Sequence, residues 1–171
     1  MLKTTNLLTL ALLLAFSPNA MAWPAKVLEA PTGDVVKVAP CNDESAPVLV
    51  NLYGIDAPEL KQEYGDESRG RLEYLAQGKE VEIVPMTVSK KGRIAALVFE
   101  NNNNLNVFML KDGGAWLQGK ACKQSFCKSW KKLQEEARNK AKGLWAGNQP
   151  IAPWKWRKIH APNKKAAKDK Q

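Results

Sequence analysis

Apolar positions along this chain fall into short β-type runs over most of its length and into helical spacing at only a few places. Lys26 to Glu29 and Asp34 to Ala39 read as short strands on either side of Pro31-Thr32-Gly33, a turn-forming cluster, and so as a hairpin. After a polar stretch from Cys41 to Pro47, the run from Val48 to Ile55 is β-rich and largely apolar, which predicts a buried strand stopped by Pro58. Leu72, Leu75 and Ala76 recur at helical spacing between Asp66 and Gln77, with Asp66 available as a cap. Lys79 to Val84 and Ile94 to Phe99 predict two more strands, and Asn101 to Asn104 a turn.

A short helix is expected from Val107 to Leu110, ending near Gly113 and Gly114. A longer one carries Trp130, Leu133, Ala137, Ala141 and Leu144 on one face and is terminated by Gly143. Several short strands with about three interspersed helices predict an α+β fold. A five-stranded Greek-key barrel with helices on one side fits, and so does a generic α+β sandwich.

Three further features bear on the chain's organisation. Residues 1–22 carry one cation at Lys3, an apolar stretch from Leu7 to Phe16 and then Ala20-Met21-Ala22, the pattern of a cleavable signal peptide. The apolar stretch is about half of what a spanning helix needs, so no integral membrane segment is expected once it is removed. Residues 23–160 then form one domain, and residues 161–171 a lysine-rich tail expected to be disordered. Export, to the periplasm or the medium, is the expected localisation.

The formal net charge of +9 makes a polyanionic partner plausible, although part of the surplus sits in the tail. Of the three cysteines, Cys122 and Cys127 are the expected disulfide in an oxidising compartment, leaving Cys41 free or paired between molecules. A zinc site would need all three with the lone His160, and they are scattered without any C-x-x-C pair.

Titratable groups meet sharp turns at Thr32-Gly33-Asp34, at Gly54 to Glu59, and at Lys90-Lys91-Gly92-Arg93. Hydrolysis of a phosphodiester needs charge stabilisation on the phosphate, an attacking water and a group to take its proton. Asp34 and Asp56 offer oxygens to a hard cation such as calcium, Glu59 could orient or deprotonate water, and Arg93 could grip phosphate oxygens with its planar fork. Each also has an ordinary structural reading, as a turn aspartate, a solvated carboxylate or a surface arginine.

The order and spacing of these segments change that weighting, because the sequence resembles the staphylococcal (micrococcal) nuclease, or thermonuclease, family over residues 26–157. The resemblance is carried by GDVVKV (33–38), LYGIDAPEL (52–60), YGDESR (64–69), GRIAALVF (92–99), LNVFMLKDGGAW (105–116), LQEEARNKAKGLW (133–145) and PWKWR (153–157). It implies an oligonucleotide-binding (OB-fold) barrel and a monomeric, calcium-dependent endonuclease that cleaves DNA and RNA with little sequence preference. Carried onto matching positions, it makes Asp34 and Asp56 metal ligands together with the Ala57 backbone carbonyl. It makes Glu59 and Arg93 catalytic, and Lys90 and Lys91 substrate-binding.

The chain departs from the family pattern at several of these places. Thr32-Gly33-Asp34-Val35 stands where the family reads Asp-Gly-Asp-Thr, so one carboxylate and one hydroxyl are missing. Asn51 stands five residues before Asp56, where the family has an arginine. Lys91 replaces a tyrosine, and residues 119–121 lack the tyrosines expected beside the bound nucleotide. An exported nuclease of reduced activity is the leading expectation. A non-catalytic nucleic-acid-binding module and an envelope protein binding anionic lipid or polysaccharide are the alternatives.

Overall fold

The computed structural model describes residues 21–42 and 45–161. Residues 1–20 and 162–171, and with them most of the expected leader and tail, lie outside the described residues. The strands are Trp23–Thr32 (β1), Val35–Pro40 (β2), Val48–Leu52 (β3), Ile55–Asp56 (β4), Glu80–Val88 (β5), Ile94–Glu100 (β6), Asn103–Asn104 (β7) and Trp116–Leu117 (β8). The helices are Gly65–Ala76 (α1), Leu105–Lys111 (α2), Cys127–Asn139 (α3) and Pro153–Ile159 (α4).

Antiparallel pairings run in the order β3-β2-β1-β5-β6, and a parallel pairing of β3 with β6 closes the ring. The closed five-stranded barrel with helices outside is an α+β fold of the oligonucleotide-binding type. The sandwich reading is thereby removed. Alternation along each strand sends one set of side chains inward. Val27, Val36, Val38, Val50, Leu52, Ile83, Ala96 and Val98 are all essentially inaccessible, and these small or branched residues suit the narrow interior of a five-stranded barrel.

Several sequence expectations are corrected in detail. The run from Val48 to Ile55 is two strands, because Gly54 turns the chain with φ +77. An added Cβ at Gly54 would lie 2.9 Å from the Cys122 sulfur, so both backbone and space require glycine. Cys122 and Cys127 are disulfide-bonded as expected, and Cys41 is a free, exposed thiol. Asp66 does not cap α1. The cap position is Tyr64, in the left-handed region and without a side-chain bond, while Asp66 and Glu67 occupy the first turn and complement the helix dipole.

α3 ends at Asn139, earlier than expected, and Gly143 with φ +54 opens a 3-10 turn that buries Leu144 and Trp145. The fourth helix, α4, follows Pro150 and has proline at its first turn, where the missing N–H costs nothing.

The closure of the barrel rests on Asn106, a fully buried side chain of α2. Its Oδ1 accepts from the Val98 amide at 3.1 Å, and its Nδ2 donates to the Tyr53 carbonyl at 3.0 Å and the Ala96 carbonyl at 3.1 Å. The Tyr53 amide also donates to Ala96, at 2.7 Å, just beyond the last β3–β6 pair. One amide therefore satisfies three backbone groups where the parallel pairing runs out. Asn106→Leu, which keeps the volume and removes the bonds, is expected to cost about 2–4 kcal/mol, because each buried backbone group left unpaired carries a penalty of about 1–3 kcal/mol. Urea unfolding measures this, and a loss below about 1 kcal/mol would contradict this account of the closure.

Candidate active site

The β1–β2 turn, the β3–β4 turn, the start of β6, the loop after β8 and α4 converge on one cleft of about 810 Å³. Its wall includes Asp34, Asn51, Asp56, Arg93, Gln118, Lys120, Lys123 and Arg157. Gly33 lets the first of these turns approach. A Cβ there would stand 1.8 Å from the Ser68 hydroxyl oxygen, which itself donates to the Gly114 carbonyl at 2.6 Å. The tight packing of α1 on Gly33 fixes where Asp34 points.

Asp34 accepts from the Thr32 hydroxyl at 2.8 Å. Ala57, expected to offer its carbonyl to a metal, donates its amide N–H to the Asp34 carboxylate. Burial pushes the Asp34 carboxyl up from 3.8 to about 6, and the charges of Asp56 and Glu59 push the same way against those two hydrogen bonds. Asp56 is nearly inaccessible and Glu59 half-buried beside it. The three carboxylates expected from the sequence thus belong to one electrostatic cluster.

The cation that answers them is Arg157, a residue to which sequence reasoning assigned no role. Its Nη1 donates to Asp56 Oδ1 at 3.0 Å and to Glu59 Oε1 at 2.6 Å, and its Nη2 to Asp56 Oδ2 at 2.7 Å. The two carboxylates raise the affinity of the guanidinium for its proton further still. Gln118 Nε2 adds a bond to Asp56 Oδ2 at 3.2 Å. Gln62 couples the segments from behind. Its Oε1 accepts from the Glu59 amide, and its Nε2 donates to the Ile151 carbonyl at 2.5 Å, just ahead of α4. The signal that could have revealed Arg157 is its place in PWKWR, a proline-started helix within the resemblance.

Arg93 lines the cleft at the start of β6, and its guanidinium makes no ion pair among the described residues. Lys90 and Lys91 sit at solvent on the β5–β6 turn, outside the residues that form the cleft wall. Asn51 donates from Nδ2 to the Ile94 carbonyl at 3.2 Å, so its amide is engaged in the β3–β6 seam.

Among the described residues no group of three or more His, Cys, Asp or Glu side chains is gathered as a ready-made metal site. The donors at the cleft are the carboxylates of Asp34 and Asp56, hard oxygens of the kind that calcium or magnesium takes with waters. Asp34 accepts from Thr32 but makes no ion pair among the described residues, while both Asp56 oxygens already accept from Arg157, so it is the chemistry of Asp34, a hard carboxylate at the cleft wall, that fits a divalent ion most directly.

Barrel and cleft together define an oligonucleotide-binding barrel protein with an acidic cluster inside a basic rim. The model of staphylococcal nuclease homologues matches residues 49–147, and the chain belongs to that family. It is 39% identical over 127 residues to the probable staphylococcal-like nuclease CAN2 of Oryza sativa subsp. japonica, covering 71% of this chain and 33% of that one. It is 33% identical over 144 residues to an uncharacterized endonuclease of Escherichia coli, covering 80% and 90%. Protein ParB of Escherichia coli is 30% identical over 161 residues, with 87% of each chain covered. The chain thus spans about a third of the rice relative and nearly all of the Escherichia coli endonuclease.

The raised Asp34 carboxyl has a consequence for stability without metal. Well below 3.8 the group is neutral in both states. Between 3.8 and about 6 the unfolded chain ionises first, so stability is lost as pH rises, and above about 6 the loss is constant. Asp34→Asn is therefore expected to stabilise the protein in chelator at about pH 8, by at most about 3 kcal/mol, and to give little gain near pH 4. Thermal unfolding at the two pH values tests this, and a variant less stable than wild type at the higher pH would contradict the assignment.

Proposed function

We propose that this chain is an exported, calcium-dependent nuclease that hydrolyses phosphodiester bonds of DNA and RNA with little sequence preference. The observation that carries the reading is the convergence of Asp34, Asp56 and Glu59 in one charge cluster on a cleft that Arg93 also lines. Membership of the staphylococcal nuclease family and the nuclease names of the rice and Escherichia coli relatives support it. The Cys122–Cys127 disulfide and the leader pattern of residues 1–22 support export to an oxidising compartment. No helix among the described residues is long and apolar enough to cross a membrane.

In the proposed reaction Asp34 and Asp56 would hold the cation, whose chemistry is to polarise the phosphate and offset its charge. Glu59 gives one carboxylate oxygen to Arg157. Its other oxygen has no hydrogen-bond partner among the described residues and is available to orient a water and take its proton. Arg93, unpaired and on the cleft wall, meets the phosphate as charge builds on it. Lys120 and Lys123 on the facing loop attract the polyanion.

Purified protein is expected to cut single-stranded DNA in calcium and to stop in chelator. Glu59→Gln is expected to lose about 10²–10⁴ in kcat, the usual share of a general base. Cleavage that persists in chelator would overturn the metal reading. Tight binding without cleavage by the wild type would favour a non-catalytic nucleic-acid-binding module.

A further inference from the structure

Position 51 of this chain brings no charge to the cleft, since Asn51 is neutral and its amide is bonded to the Ile94 carbonyl. Arg93 offers the planar fork from the β6 side, and Lys120 and Lys123 bring only point charges. The other arginine on the cleft wall is Arg157, which lies 101 residues beyond its partner Asp56 in sequence and outside the matched residues 49–147.

The hydrogen-bond inventory of Arg157 is informative. A guanidinium has five N–H groups. Three are engaged, two on Nη1 with Asp56 and Glu59 and one on Nη2 with Asp56. The two that remain, the Nε–H and the second hydrogen of Nη2, have no partner among the described residues. They lie side by side along one edge of the planar group. Two parallel N–H donors on one edge are the fork that grips two oxygens of a phosphate. The side chain is 45% exposed and lines the cleft, so one edge is fixed by carboxylates while the group remains accessible to a ligand.

We propose that Arg157 is a catalytic residue that binds the scissile phosphate bidentately through Nε and Nη2, supplying from α4 the second cationic clamp that β3 lacks. The proposal rests on the nuclease reading above. Asp56 and Glu59 act as positioning residues for the clamp, because an arginine tied by three bonds loses little further freedom when substrate arrives. Lysine cannot take its place, since a single ammonium cannot hold two carboxylates and present a two-pronged edge as well. Asp56, Glu59 and Arg157 together carry one net negative charge, which Arg93, Lys120 and Lys123 on the same cleft offset for an incoming phosphate.

The test measures kcat and KM on single-stranded DNA in calcium for wild type, Asn51→Arg, Arg157→Lys, Arg157→Ala and Arg157→Ala with Asn51→Arg, with thermal unfolding of each. Arg157→Ala is expected to lower kcat about 10²-fold or more with KM changed far less, the usual cost of one transition-state donor. Arg157→Lys, which keeps the charge and a contact with Asp56, is expected to fold and still lose about 10-fold or more. Asn51→Arg is expected to recover about 10-fold or more in the Arg157→Ala background and to gain much less when made alone in wild type, a non-additivity that a merely structural Arg157 would not give. Unchanged kcat in Arg157→Lys, failure of the rescue in a folded double variant, or faster cleavage by Arg157→Ala would each overturn the proposal. The last result would make Arg157 a plug on the carboxylates. A wild type that does not cut would sink the nuclease reading alone. The clamp is then judged by binding of a short single-stranded oligonucleotide in calcium, expected to weaken about 10-fold in Arg157→Lys and overturning the proposal if unchanged.

Discussion

The structure depends on a parallel seam between two strands that are otherwise parts of separate antiparallel ribbons. β3 belongs to the β1–β2 hairpin side and β6 to the β5 side, and only where they meet does the sheet become a barrel. Parallel pairing is slightly weaker per residue than antiparallel, and this seam spans three residue pairs. Asn106 completes it from outside by bonding Val98, Ala96 and Tyr53 together. The same closure brings Asn51 beside the Arg93 segment and starts the turn through Gly54 that delivers Asp56.

Charge is arranged in a second layer on that frame. Asp56 is nearly inaccessible, and burying a carboxylate is tolerable only with a strong partner. Arg157 is that partner, with Gln118 assisting, and Gln62 anchors the segment that leads into α4. Asp34 has hydrogen bonds but no ion pair among the described residues, and burial holds its carboxyl above the ordinary value. The disulfide loop bears on the same region. Cys122 packs against Gly54, and the Lys123 amide donates to the Tyr53 hydroxyl at 3.0 Å. Stabilisation of the loop and positioning of Asp56 are one task.

Much of this was legible along the chain because it is encoded locally. Gly33 marks the β1–β2 turn by the close approach it allows, and Asn101 and Asn102 mark theirs by adopting positive φ, while Pro31 and Thr32 still belong to β1. Val36, Val38, Val50, Ile83 and Val98 mark strand faces by alternation. The grouping of Asp34, Asp56 and Glu59 was legible only through the resemblance, since nothing local says that three turns meet. What escaped was either non-local or disguised. α4 follows Pro150, begins with Pro153 and precedes a lysine-rich stretch, so its polar composition reads as the start of a tail, although Ala152 and Pro153 are buried. The break at Gly54 hides in a continuous apolar run, because the turn itself is buried against the disulfide. Tyr64 at the start of α1 adopts φ 67 without a side-chain cap, a conformation that no composition rule assigns to tyrosine.

The position of α4 also dictates the order in which the cluster becomes whole. A chain made from its N-terminus presents Asp34, Asp56 and Glu59 about a hundred residues before Arg157 emerges. Until that last helix docks, Asp56 and Glu59 lack the guanidinium that pairs them both, so the burial of Asp56 is compensated only by a segment made long after it.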